Sequence, residues 1–145
     1  MLNDQLKVTG DVVVEITGPD GQIKDRREIK NLVVATGKTF IASRIVGTPT
    51  AMSHMAIGSN NTAAATNDVA LGAELGRVAL SSSTSSGAVV TYVASFPAGT
   101  GTGAVVEAGV FNASSSGTML CRTVFAVVNK GADDAMSITW AITVS

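Results

Sequence analysis

Charge is scarce in this chain: 14% of its residues are Asp, Glu, Lys or Arg, against roughly 25% in an ordinary soluble domain. Ser, Thr, Ala and Gly take the place of the missing charge. Such a surface resists precipitation poorly as a free monomer, because little net charge keeps molecules apart. It suits a chain packed against neighbours; the plainer alternative is a monomer whose exposed face is mostly hydroxyls and methyls. The net charge of −1 supplies no global attraction for nucleic acid, whose binders carry a basic excess on one face. Aromatics are 4% of the chain, which argues against a carbohydrate module that works by stacking. The lone cysteine, Cys121, has no partner for an internal disulfide. It lies in the apolar run Met119–Val128, where a buried, inert thiol is the default. A membrane-spanning helix needs about 20 mostly apolar residues in a row. The longest charge-free stretch, Val78–Val106, is broken by Ser81–Gly87, Pro97 and Gly99–Gly103. Met1–Gln5 has no basic segment leading into an apolar run, so no signal peptide is expected.

What is present reads as one mainly β domain over residues 1–145, a length sufficient for a single core. Asp11–Thr17 is rich in β-branched side chains, which favour a strand. Gly18-Pro19-Asp20-Gly21 supplies a preset turn dihedral and a site tolerant of positive φ. Gln22–Val34 returns as a charged strand, completing an N-terminal hairpin over 11–34. In Thr36–Ile45 the period changes: Phe40, Ile41, Arg44 and Ile45 fall at helical spacing, with Thr36 as the cap. Val46-Gly47-Thr48-Pro49 ends that helix. Met52–Gly58 reads as a buried strand and Ser59–Asn67 as a polar loop. Asn67 or Asp68 is placed to cap a helical turn over Val69–Leu75, against which Gly72 and Gly76 weigh. Strands follow at Ala88–Phe96, Ala104–Phe111 and Thr118–Val128, separated by the loop Ala98–Gly103 and the turn Asn112–Gly117. After the turn Asn129–Asp134 comes Met136–Val144, in which Met136, Ile138, Trp140, Ile142 and Val144 share a face. Turn clusters between short apolar strands predict an antiparallel β-sandwich, jelly-roll or immunoglobulin-like, with one or two short helices.

Residues able to carry chemistry are few. Gly37-Lys38-Thr39 resembles the end of a phosphate-binding loop, but the glycine required five residues before Gly37 is Leu32. His54, the only histidine, lacks the ligands of a zinc site and the activated nucleophile of a hydrolase. Asp20, Asp133 and Asp134 sit in turns, where Asp bonds local backbone. The unusual charges are Glu74, Arg77, Glu107 and Arg122, each inside an apolar segment. A buried charge is tolerated only when paired, so these four are expected to form one or two structural ion pairs, with Glu74 and Arg77 sharing a helix face. The rival reading, two acids flanking a sugar cleft, again conflicts with the lack of aromatics. No catalytic residue, metal or cofactor is expected, and no enzyme activity. The charges on Gln22–Lys30 protect a sheet edge or face a charged partner; Lys24, Arg26, Arg27 and Lys30 are candidates for that contact, and the loops Ser81–Gly87 and Ala98–Gly103 are further candidates.

Four segments carry a resemblance. They are AIGSNNTAAATNDVALGAELGR (Ala56–Arg77), EAGVFN (Glu107–Asn112), GTMLCRTVF (Gly117–Phe125) and SITWAITV (Ser137–Val144). In this order, over about residues 50–145, the chain resembles small virion structural proteins of tailed bacteriophages, with Cys121 where a small residue such as Ala is expected. The resemblance implies a part of the phage particle with other virion proteins as partners, the major capsid protein first among them. It also implies a homo-oligomer and a virion location. A capsid decoration (cement) protein on the outer lattice is the first expectation, because the chain is short and has no repetitive shaft. A tail, tail-fibre or adaptor component is the second, and a glycan-binding host-recognition module the third. No enzymatic residue comes with the resemblance, and neither nucleic acid nor membrane is expected as a partner.

Overall fold

The structure is a computed structural model that describes residues 6–145; the expectation about a signal peptide rests on Met1–Gln5 and lies outside the described residues. Two antiparallel sheets face each other. The first has the order β2(Ile23–Lys30), β1(Val8–Thr17), β10(Ala135–Val144), β7(Val89–Phe96), β6(Ser82–Ser86). The second has the order β3(Leu32–Val33), β9(Met119–Lys130), β8(Gly103–Phe111), β4(His54–Gly58), β5(Glu74–Ala79), and one helix, α1(Ala35–Val46), joins β3 to β4. This is a β-sandwich.

The core follows from strand alternation. Val12, Val14 and Ile16 of β1 and Met136, Ile138, Trp140 and Ile142 of β10 point inward from the first sheet. Met55 and Ile57 of β4, Ala108 and Val110 of β8, and Cys121 and Phe125 of β9 meet them from the second. Trp140, fully buried, lies opposite Val12 on one side and Tyr92 on the other. A second, smaller cluster forms on the outer face of the second sheet: Val34, Ala56, Phe111 and Met119, with Leu71 packed on them. That sheet is therefore covered on both faces, which is why β8 and β9 read as nearly continuous apolar runs.

Several expectations change. The hairpin and its turn form as expected, but the returning strand does not run through to Val34. It breaks at Asn31, and Leu32–Val33 crosses to pair with β9 in the other sheet. The helix forms, yet Thr36 is not its cap. Val34 holds that position without a side-chain bond, while the Thr36 hydroxyl donates to the Met119 carbonyl at 2.8 Å. Gly37 lets α1 approach β9 closely: a Cβ there would lie 2.0 Å from the Leu120 carbonyl oxygen. The helical turn over Val69–Leu75 is absent. Residues 59–73 form a loop, and Glu74–Ala79 is strand β5. Ser81–Gly87 is mostly strand β6 rather than a loop.

Candidate functional site

The charges singled out in the sequence lie on the outer face of the second sheet as two pairs, Glu107–Arg122 under the loop 59–73 and Glu74–Arg77 against the turn 112–117. Cross-strand register explains how. Glu107 lies opposite Gly58. Arg122 lies opposite Gly109, two residues along β8 from Glu107, so Glu107 and Arg122 share a face. Arg77 of β5 lies opposite Ala56 on the same face. A bulge at Leu75 puts Glu74 on that face too, because Gly58 pairs with Glu74 while Ile57 pairs with Gly76. Glu74 and Arg77 thus do pair, through a bulged strand rather than a helix face.

Glu107 is fully buried, and all its bonds come from donors. Its Oε1 accepts from the Gly72 N–H at 2.9 Å and from Arg122 Nε at 3.1 Å. Its Oε2 accepts from the N–H groups of Asn60 and Ala73, both at 2.9 Å. Arg122, also buried, spends its remaining donors on the loop: Nη1 reaches the Thr62 carbonyl and Asp68 Oδ2, both at 3.0 Å, and Nη2 the Asn60 carbonyl at 3.4 Å. Gly58 makes room, since a Cβ there would come within 2.6 Å of Glu107 Oε2 and 2.5 Å of the Ala73 carbonyl oxygen. The second pair is simpler. Arg77 Nη2 donates to Glu74 Oε1 at 2.7 Å, Nη1 to the carbonyls of Ala113 and Ser116, and the guanidinium lies 3.9 Å from the Phe111 ring centroid. One arginine ties down the 59–73 loop and the other the 112–117 turn.

Such an arrangement holds loops and offers little to a substrate. A carboxylate whose two oxygens accept four bonds from main chain and guanidinium has no free lone pair directed at solvent. Asp68, one of the two residues placed to cap a helical turn, is instead the second carboxylate on Arg122. No spacing rule links it to residue 122; only the fold brings them together. A further polar node forms where β9 ends and the turn 131–134 begins, although the sequence pattern predicts a turn over Asn129–Asp134. Lys130 is buried, and its Nζ donates to the carbonyls of Pro97 at 2.9 Å and Asp134 at 2.7 Å. Burial holds its amine below the usual lysine range. The Asp134 carboxylate accepts from Lys24 Nζ at 3.0 Å and from the Gly131 N–H at 2.8 Å. The Lys24 bond, then the Gly131 bond, hold its pKa below 3.8.

The proposed contact residues on β2 all have partners within the chain. Besides Lys24 with Asp134, Arg26 meets Glu28 and Glu15, and Lys30 meets Asp11. Arg27 grips Asp25 and donates to the carbonyls of Ala126 and Val127. Arg27 and Lys24 therefore tie β2 to β9 and to the β9–β10 turn.

His54 Nδ1 is 2.8 Å from Ser53 Oγ. Cys121 is inward on the opposite face of the same sheet, so the two do not meet, and burial pushes the thiol well above the usual thiol range. Among the described residues no three His, Cys, Asp or Glu side chains come together as a metal-holding group. Compared with protein-family models, curated proteins and solved structures, the chain finds no match.

A different surface stands out by exposure. Leu6, Ile45 and Val46 are 74%, 84% and 90% exposed. Leu6 and Ile45 line one cleft of about 600 Å³ between α1 and the start of β1, together with Val8, Ile41, Lys7 and Lys38.

Proposed function

We propose that this chain is a structural protein of a tailed-phage particle, binding the outer capsid lattice as a decoration protein. The observation that carries a partner-binding role is the apolar surface at the end of α1. Large aliphatic side chains left in water close together mark a contact surface, and Leu6, Ile45 and Val46 are the most exposed large hydrophobics among the described residues. Lys7 and Lys38 beside it suit an apolar segment with acidic neighbours. The basic residues of β2 are engaged within the chain, so the contact lies at this cleft rather than on β2. The resemblance to virion proteins gives the partner its class. Three of its four segments, in β4–β5, β8 and β9, build the Glu107–Arg122 clamp, a device that fixes loops rather than turning over a substrate. A protein that binds only the assembled lattice stabilises it by mass action.

The test is gold-antibody labelling of intact particles by electron microscopy, alongside a chain carrying Ile45→Lys. Label spread over the head, reduced by the substitution, is the expected result. Label at the tail overturns the capsid assignment and makes the chain a tail component. Absence of label from intact particles overturns the virion reading altogether.

A further inference from the structure

Among the described residues the two sheets have four edges, and three of them are guarded. On β2 every residue except Ile23 and Ile29 is charged. Strand β3 is two residues long. Strand β5 carries Glu74, Arg77 and the bulge at Leu75. Charges, short length and bulges are the means by which native sheets keep foreign strands away. Strand β6 has none of them. Ser82–Ser86 is uncharged, contains no proline, pairs regularly with β7 from Ser82↔Val93 to Ser86↔Val89, and is exposed along its whole length. Half of its backbone N–H and C=O groups face away from β7, as alternation in an antiparallel ladder requires.

We propose that β6 is a self-pairing edge, which joins two copies of this chain about a twofold axis through Thr84. The strand reads Ser-Ser-Thr-Ser-Ser, the same in both directions. An antiparallel pair centred on Thr84 sets Thr84 against Thr84, Ser83 against Ser85 and Ser82 against Ser86. Every cross-strand pair is then hydroxyl to hydroxyl, a favourable combination, and no like charges oppose each other. The contact is isologous, as a closed dimer demands. Two five-stranded sheets become one sheet of ten. The charged β2 edge cannot do this with itself, because its antiparallel self-pairing brings like charges together. The inference rests on the strand edge alone and is independent of the virion reading. Five paired residues cover less than the roughly 1,200 Å² of a stable standard interface, so the dimer is weak in dilute solution and favoured where copies are concentrated.

The test is register-specific crosslinking of the full chain under mild oxidation. Thr84→Cys is expected to form a disulfide dimer by itself. Ser82→Cys and Ser86→Cys are expected to crosslink when mixed and not singly, because antiparallel partners come within disulfide reach. Cys121 is fully buried, so the unsubstituted chain is the blank. In sedimentation, Thr84→Lys should abolish the concentration-dependent rise in mass, and an equimolar mixture with Thr84→Glu should restore it. Crosslinking no greater than the blank, equal crosslinking at all three positions, or a mass that stays monomeric at every concentration would overturn the proposal.

Discussion

Replacing Arg122 with Ala removes the cation from beneath the 59–73 loop and leaves Glu107 in place. The carboxylate is fully buried and keeps only the three backbone donors of Asn60, Gly72 and Ala73. At the same time the Thr62 carbonyl loses its donor, and Asp68 Oδ2 keeps the Ala65 N–H alone. Stranding one member of a buried ion pair costs about 3–5 kcal/mol, a large share of the roughly 5–15 kcal/mol that holds a typical domain together. For a urea dependence of about 2 kcal/mol/M, the unfolding midpoint falls by about 2 M. The loss is local at first, so amide exchange at Asn60, Gly72 and Ala73 should quicken more than at the centre of β10. Glu107→Gln should fare no better despite its shape. Each oxygen of Glu107 faces two N–H donors, so the new amide nitrogen opposes donors whichever way it is turned. The double variant Glu107→Leu with Arg122→Met, which leaves neither charge stranded, should lie closer to the parent than either single loss. An Arg122→Ala midpoint indistinguishable from the parent, or faster exchange spread evenly over both sheets, would refute the reasoning.

Tyr92 is the only tyrosine, and burial beside the core pushes its phenol up to about 12 from 10.0. Ultraviolet titration should place its midpoint there, with stability falling as pH rises from 10 through that value, since the folded state binds the proton more tightly. Asp134 has the opposite sign. Its folded pKa lies below 3.8, so its contribution is present above that pH and lost as pH falls through the folded value. Carboxyl titration by NMR should show the midpoint moving upward in Lys24→Met.

What could be read in advance followed how far each signal is local. The alternation of Met136–Ile142, the Gly18–Gly21 turn and the helical spacing of Phe40, Ile41 and Arg44 all act within one element, and each element formed. Glu107 and Arg122 were recognisable because a charge inside an apolar run demands a partner, whatever the topology. Asp68 sent no such signal: among Asn and Thr residues it looks like an ordinary cap. Glu74-Leu75-Gly76-Arg77 misled because a bulged strand also brings residues three apart onto one face. Strand β6 stayed hidden because serine has little preference for strands and its pairing is supplied by β7. Lys130, in a polar turn, was indistinguishable from a solvated lysine until Pro97 and Asp134 closed over it.

The pairing of β1 with β10 bears on how the chain is made. These strands lie at opposite ends of the described sequence, yet they are neighbours at the middle of the first sheet. At about 5–20 residues per second of synthesis, β1 waits on the order of ten seconds for the strand that will cover its open side. During that interval one side of β1 is paired with β2 and the side that β10 will cover stays open. The densest charge in the sequence lies on β2, the strand already paired with β1, and charge along a sheet edge discourages pairing with foreign strands while the sheet is still open.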